Sequence, residues 1–406
     1  MRITEIELTP VAVKDPPLLN SSGVHQPFAL RCVIEVKTDE GLTGLGETYG
    51  GARFVASLQR TAATLPGLDP FDLNGLRLRI GGSPSSDKNS ASLLAAFEVP
   101  CVDLQGKFAG LPVCDLLGGR ARDSVPYSAY LFYRWREHPR DPGYPPDDWG
   151  EALDPAGIVA QARRMTARHG FRSLKLKGGV MRPEEEIEAI LALRDAFPDH
   201  PLRLDPNTGW TVPTSIMVGR RLEGVLEYLE DPTGGIDGMA EVARAVPMPL
   251  ATNMCVMRFS DLPPAIAARA VQVVLSDHHL WGGLRASQGL AAICETFGIG
   301  LSMHSNSHLG ISLAAMTHLA AATRNLTYAC DTHSPWQTED VIEPGVVAFA
   351  GGAVAVPDRP GLGVALDRDA LGRLHEQWQK CGIREREDVG AMQLVRAGWT
   401  GTLPRF

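Results

Sequence analysis

Two lysines alternate with leucines in Ser173-Leu174-Lys175-Leu176-Lys177-Gly178-Gly179. On a strand, where side chains alternate, Leu174 and Leu176 face one way and Lys175 and Lys177 the other. An edge strand tolerates such a pattern with both ammonium groups in water. The chain downstream points elsewhere. Strand-like runs ending in a polar residue recur at Leu202–Asp205, Val225–Glu230, Pro249–Asn253, Val271–Asp277, Gly298–His304 and Leu326–Asp331. From Lys177 the steps between these ends are 28, 25, 23, 24, 27 and 27 residues, about one strand plus one helix each. Helical candidates such as Pro155–His169, Pro183–Ala196, Gly283–Phe297 and Ile311–Thr323 fall between them. This alternation predicts an α/β fold with a parallel sheet closed as a barrel. The lysines and the polar strand ends then share its C-terminal face.

Composition narrows the class. A length of 406 residues favours more than one core. The net charge of −8, without any Lys/Arg run, excludes a nucleic-acid surface. No apolar stretch approaches the ~20 residues that span a bilayer. The start Met1-Arg2-Ile3-Thr4-Glu5-Ile6 alternates like a strand and lacks the apolar core of a signal peptide. Seven cysteines without CxxC spacing read as reduced thiols, and the expected location is cytoplasmic.

Before the barrel, Ile3–Val13, Leu30–Thr38 and Gly41–Gly46 read as a β-meander with an irregular loop at Leu18–Pro27. Helical periodicity follows over residues 53–122, broken by a loop at Gly81–Ser86. Barrel alternation starts near Val125, and Glu137–Trp149 reads as an exposed insert. Gly44-Leu45-Gly46 lacks a third glycine and a following helix, and reads as part of a hairpin rather than a dinucleotide site. Beyond about residue 345 a short strand, a helix near Asp367–Cys381 and an irregular end are expected.

Asp205, Glu230 and Asn253 close three consecutive strands. Three oxygen donors without Cys or His suit a hard cation that keeps some waters, and Mg²⁺ fits best. One strand-end Asp before Pro, as in Asp205-Pro206, is often a turn residue; three in register make a ligand set. Asp277 and His304 close the next two strands, and a carboxylate beside an imidazole fixes its tautomer and raises its basicity. Burial, a like charge and a divalent ion would lower the pKa of Lys175 and Lys177, freeing an amine to take a carbon-bound proton. His278-His279 is expected to line the rim. His304-Ser305-Asn306-Ser307-His308 has zincin-like spacing but no glutamate after the first His.

These motifs together resemble the enolase superfamily of mandelate racemase and muconate lactonizing enzyme, and within it the glucarate dehydratase group. The likeness rests on Lys-Leu-Lys-Gly-Gly at 175–179, Leu-Asp-Pro-Asn at 204–207, Glu-Asp-Pro at 230–232, Ala-Thr-Asn-Met at 251–254, Asp277 with His279, and His-Ser-Asn at 304–306. An asparagine at 253 is characteristic of that group. The resemblance implies a (β/α)7β barrel over residues 123–345. It also implies an α+β capping domain made from residues 1–122 and the returning segment 346–406. It implies Mg²⁺-assisted proton abstraction and β-elimination of water from an aldaric acid. Carried over, Lys177 is the base and Lys175 its neighbour, contacting the substrate carboxylate. His304, oriented by Asp277, faces the opposite side of the substrate carbon. His25, Tyr130, Asn207, Asn306, His333 and Arg386, with Asn20 and Phe132, fall where the family contacts substrate. A homo-oligomer is the expected state. Residues 81–92 do not resemble the family's corresponding loop.

D-Glucarate, and its epimer L-idarate, are therefore the expected substrates, giving 5-dehydro-4-deoxy-D-glucarate. A dehydratase or epimerase for a different acid sugar fits the same residues. A non-catalytic paralogue that modulates a partner would have no need of intact lysines, ligands and dyad.

Overall fold

The computed structural model describes residues 1–81, 88–139 and 147–406. The centres of the 81–92 stretch and of the Glu137–Trp149 insert lie outside the described residues. Three strands, β1 (Ile3–Lys14), β2 (Phe28–Thr38) and β3 (Thr43–Tyr49), form an antiparallel meander in chain order. The turn between β2 and β3 lies at residues 39–42, so Gly44 and Gly46 sit inside a strand rather than in a turn. Their reason is packing. A Cβ on Gly44 would lie 2.2 Å from the Pro100 carbonyl oxygen, because the helix Lys88–Ala109 presses its backbone against β3.

Eight parallel strands follow: β4 (Ser124–Phe132), β5 (Leu174–Lys177), β6 (Leu202–Asp205), β7 (Leu226–Glu230), β8 (Leu250–Thr252), β9 (Val273–Ser276), β10 (Gly300–Met303) and β11 (Cys330–Thr332). Each from β4 to β9 pairs with the next, and β11 returns to pair in parallel with β4. Thr327 and Tyr328 N–H donate to the Leu301 carbonyl at 2.9 and 3.1 Å, drawing the β11 approach onto β10 and closing the barrel. The strands are buried on both faces, as a barrel wall lined outside by helices must be. Local chemistry sets the helix bounds. Asp154 caps Pro155–His169 by accepting from Gly157 N–H, Pro155 fills the first turn, and Gly170 ends it in the left-handed region.

The first three strands and the long helix are tied to the barrel by buried carboxylates. Glu98 accepts from the N–H groups of Leu284 and Arg285, at the start of helix Leu284–Phe297. Glu47 does the same for Leu309 and Ser312, at the start of helix Gly310–Ala322. A carboxylate at a helix N-terminus meets unpaired N–H groups and the positive end of the dipole. The tail returns to the same unit. Helix Arg368–Lys380 lies along β1, where His375 pairs with the Pro10 carbonyl at 2.7 Å and Gln377 donates to Ala12 O at 2.8 Å. None of the seven cysteines is paired with another, and five of them are buried. Among the described residues no helix is long and apolar enough to cross a membrane.

Candidate active site

Alternation along β5 sends both lysines into the barrel, where Lys175 is fully buried and Lys177 nearly so. On β6 the same face carries Arg203 and Asp205, and on β7 it carries Tyr228 and Glu230. Arg203 lies over the Tyr228 ring and pairs with Glu227 at 2.7 Å, filling the barrel below the lysines. Lys175 Nζ then meets three carboxylates: Glu230 Oε2 and Asp331 Oδ2 at 2.7 Å each, and Asp205 Oδ2 at 3.2 Å. Lys177 Nζ lies 2.7 Å from Asp205 Oδ2 and donates to Asn207 Oδ1. The Tyr130 hydroxyl donates to the same Asp205 oxygen at 3.1 Å.

Burial works against a charged Lys175, but Asp331 and Glu230 outweigh it and hold the ammonium well above its ordinary pKa. This departs from the expectation that both lysines fall: three carboxylates within reach dominate over desolvation. Burial also opposes the charge of Asp205, yet Lys177 and Lys175 pull it below the ordinary carboxylate range. Glu230 is pushed up by burial and by the charge of Asp205. Three acids thus crowd the floor, and the lysines alone do not neutralise them.

The residues proposed as ligands fit a hard divalent cation by their unmet valences. Among the described residues, Glu230 Oε1 and Asn253 Oδ1 are buried acceptors with no hydrogen-bond donor in reach. Such atoms are costly unless something positive faces them. Asn253 lies one residue beyond β8 and is set by Asp231, whose Oδ2 accepts from the N–H of Asn253 at 2.8 Å and of Met254 at 3.1 Å. Asp231 Oδ1 takes the Thr252 hydroxyl at 2.6 Å. The turn after β5 is fixed in turn by Glu186, which accepts from Gly179, Val180 and Met181 N–H at 2.9–3.0 Å. Gly179 has φ +71°, and a Cβ there would stand 2.1 Å from the Pro206 carbonyl oxygen, so the β5 and β6 turns interlock only around glycine.

Across the mouth, Asp277 caps the short helix His278–Trp281. Its Oδ2 lies 3.0 Å from His304 Nδ1, and its Oδ1 accepts from the His279 N–H at 2.9 Å and lies 3.1 Å from His279 Nδ1. Burial would raise this carboxyl, but the His279 and His304 hydrogen bonds hold it well below the carboxylate range. A carboxylate only accepts, so His304 Nδ1 carries the proton and Nε2 is left as the basic nitrogen. His278 and His279 do not line the rim; both are buried behind the dyad, their rings 4.0 Å apart. The zincin-like spacing is not realised either. His308 packs on His279, with ring centroids 4.6 Å apart. Asp277, His279 and His308 bring donor atoms within 4.8 Å of one another, but Asp277 and His279 already satisfy each other.

A cavity of about 220 Å³ opens above this floor. Lys177 and His304 line it, together with His25, Tyr130, Phe132, Asn207, Asn306, His333, Arg386 and Asn20. Lys175, Asp205, Glu230, Asn253 and Asp277 lie beneath or behind it. His333 stacks on Phe132 at 4.9 Å; burial and the nearby His25 and Arg386 keep it neutral, and neither ring nitrogen has a hydrogen-bond partner among the described residues. Arg386 donates to His25 Nε2 at 3.1 Å and to Asn306 Oδ1 at 3.2 Å, while His25 Nδ1 pairs with Asp15 at 3.0 Å. Sequence reasoning missed Asp388, which grips Arg386 at 2.7 Å and takes Asn20 Nδ2–H at 2.8 Å. It also missed Asp15 and Glu186, carboxylates that leave no local motif, and it placed Asp331 at a strand end without pairing it to Lys175. A neighbouring cavity of about 240 Å³ shares Asn306 and Arg386 as a wall but includes neither Lys177 nor His304.

Residues 3–118 match the family model of the mandelate racemase/muconate lactonizing enzyme N-terminal domain, and residues 157–370 that of the enolase C-terminal domain-like group. The chain is 54% identical to a protein of Streptomyces coelicolor named "Probable glucarate dehydratase", over 100% of this chain and 99% of that one. It is 26% identical to the L-talarate/galactarate dehydratase of Salmonella typhimurium, over 86% and 84% of the two chains. Among solved structures, an enolase from Mycobacterium smegmatis complexed with tartrate superposes with a TM-score of 0.97 at 60% identity, covering 100% of this chain and 98% of that one. An enolase from Thermobispora bispora complexed with magnesium and formate gives 0.97 at 59% identity and full coverage of both. With both family models matched and the 54% identical relative aligned over 100% of this chain and 99% of its own, the chain belongs to the enolase superfamily, among the proteins related to mandelate racemase and muconate lactonizing enzyme.

Proposed function

We propose that the protein is an acid-sugar dehydratase, a hydro-lyase, with D-glucarate as substrate and 5-dehydro-4-deoxy-D-glucarate as product. The observation that carries the reading is the placement of Lys177 and of the Asp277-oriented His304 around one cavity above Asp205, Glu230 and Asn253. The 54% identical relative named as a probable glucarate dehydratase supports the substrate class, as does the tartrate complex of a structural neighbour.

Asp205, Glu230 and Asn253 would hold Mg²⁺. When bound, the ion supplies Lewis acidity to the substrate carboxylate and takes up the Asp205 charge that here faces Lys177. Lys177 removes the proton from the carbon next to that carboxylate. The electron pair moves toward the carboxylate and then expels hydroxide from the neighbouring carbon, forming the double bond. For this step His304 must carry a second proton, on Nε2, taken from solvent before the substrate binds; it delivers that proton to the leaving oxygen, so water departs, and the enol product becomes the keto acid. Lys175 keeps a positive charge against the same carboxylate, and its ammonium places a like charge beside Lys177. Arg386, Asn306, His25 and His333 grip the distal hydroxyls and carboxylate, with Tyr130, Asn207, Asn20 and Phe132 completing the wall. On this reading residues 1–122 and 346–406 cap a barrel of residues 123–345.

The test is incubation with D-glucarate in D₂O with and without Mg²⁺, followed by NMR and a keto-acid assay. A Mg²⁺-dependent keto product is expected. Exchange at the α-carbon without product would replace dehydration by epimerisation. Neither exchange nor product would remove D-glucarate as substrate.

A further inference from the structure

His279 stands outside the mechanism above, yet it holds half of the Asp277 carboxylate. Its main-chain N–H reaches Asp277 Oδ1 at 2.9 Å and its Nδ1 the same oxygen at 3.1 Å, while Oδ2 is left to His304 Nδ1 at 3.0 Å. The carboxylate is thus pinned from both ends and cannot turn its plane away from His304. The far nitrogen of His279 is anchored as well. Nε2 lies 3.1 Å from the Glu47 carbonyl, 3.1 Å from Ser312 Oγ and 3.4 Å from Arg31 Nη2. Glu47 is on β3 and Arg31 on β2, and the two pair at 2.7 Å with neither side chain exposed beyond a few per cent. The ring itself is 1% exposed and lies against His308 and Tyr49.

We infer that His279 is a positioning residue for the reaction: it fixes Asp277 from behind and transmits the seating of the N-terminal sheet to His304. A buried histidine is more often a packed core residue. Here it is the only side chain besides His304 that hydrogen-bonds to Asp277 among the described residues. Its other end is held by a separate layer of the fold. Removing the imidazole leaves Asp277 Oδ1 with one main-chain donor and frees the carboxylate to rotate. His304 then loses a fixed tautomer and orientation, while nothing near Lys177 changes.

The inference rests on the dehydratase reading, and the experiment separates the two. Proton–deuterium exchange is followed for D-glucarate and L-idarate, which differ at the abstraction centre, using Mg²⁺-loaded wild type, His304→Asn, His279→Leu and His279→Asn. The epimer that loses exchange in His304→Asn is expected to lose at least about tenfold in His279→Leu. The other epimer should stay within about twofold of wild type. His279→Asn, whose amide N–H can replace Nδ1–H toward Asp277, should recover most of the loss. Equal slowing of both epimers, or of neither, overturns the inference. Should wild type exchange neither epimer, the substrate reading falls, and ¹⁵N NMR of the His304 ring decides the positioning role. A pure Nδ1–H tautomer that becomes mixed in His279→Leu supports it; an unchanged tautomer overturns it. If His279→Leu does not fold, Ser312→Ala makes the same comparison, with a smaller loss of about threefold on the His304 face expected. A loss on both faces or none refutes it.

Discussion

Glu230 Oε2 and Lys175 Nζ meet at 2.7 Å in a barrel floor where neither side chain is exposed. An ion pair this deep is weak evidence of stability, because desolvation offsets the attraction. Its use lies in arrangement. Lys175 holds Glu230, Asp331 and Asp205 in place, while among the described residues Glu230 Oε1 and Asn253 Oδ1 stay unpaired.

Glu230→Gln is therefore expected to weaken Mg²⁺ binding by at least about tenfold while the barrel still folds. Titration calorimetry, with thermal unfolding at rising Mg²⁺, measures it. A variant that binds the ion as wild type does would remove Glu230 from the ligand set.

Lys177→Met removes the amine and keeps much of the side-chain volume. Turnover of D-glucarate should fall by about 10²- to 10⁴-fold, with Mg²⁺ binding within a few-fold of wild type. Unchanged keto-acid formation would end the assignment of Lys177 as base.

His304→Asn should slow dehydration by a similar ~10²- to 10⁴-fold. Proton exchange from the Lys177 face is expected to survive, because Lys177 draws on Asp205 and Asn207 rather than on the dyad. Loss of exchange for both epimers would argue that one base serves both faces.

His318 gives a pH dependence remote from the cavity. Burial lowers its pKa to about 4, with its ring between the Cys114 N–H at 3.3 Å and the Leu362 carbonyl at 3.1 Å. The unfolded chain binds this proton below about 6.5 and the folded chain does not, so acid favours unfolding. From pH 6.5 down to about 4, His318 should contribute a loss of roughly 1.4 kcal/mol per pH unit. Urea unfolding of wild type and His318→Gln across that range should show a shallower slope in the variant; parallel slopes would refute it.

The floor of the site was legible because a period of two and a repeat of one strand plus one helix are global patterns. Asp205 and Glu230 end β6 and β7 as expected. Strand bounds were less legible. Asn253 and Asp277 lie one residue past β8 and β9, where side chains take over the backbone donors: Asp231 receives the Asn253 N–H, and Asp277 caps the next turn. The lysine charge was misjudged because Asp331, the strongest counter-charge on Lys175, is 156 residues away, and its place at the last strand end does not say which side chain it meets. Glu98 and Glu47 escaped for a related reason. A buried carboxylate that serves distant backbone N–H groups looks, in sequence, like any other acid. His278 and His279 read as rim residues because adjacency to a strand end gives no depth.

Arg386 and His25 meet across 361 residues of chain, whereas Asp205, Glu230 and Asn253 come from one short run. Closing so long a loop is entropically slow compared with neighbouring strand pairing. During refolding the ion-binding floor should mature before the roof. A stopped refolding reaction would then hold molecules that retain Mg²⁺ yet turn nothing over, and recovery of activity ahead of Mg²⁺ retention would contradict that order.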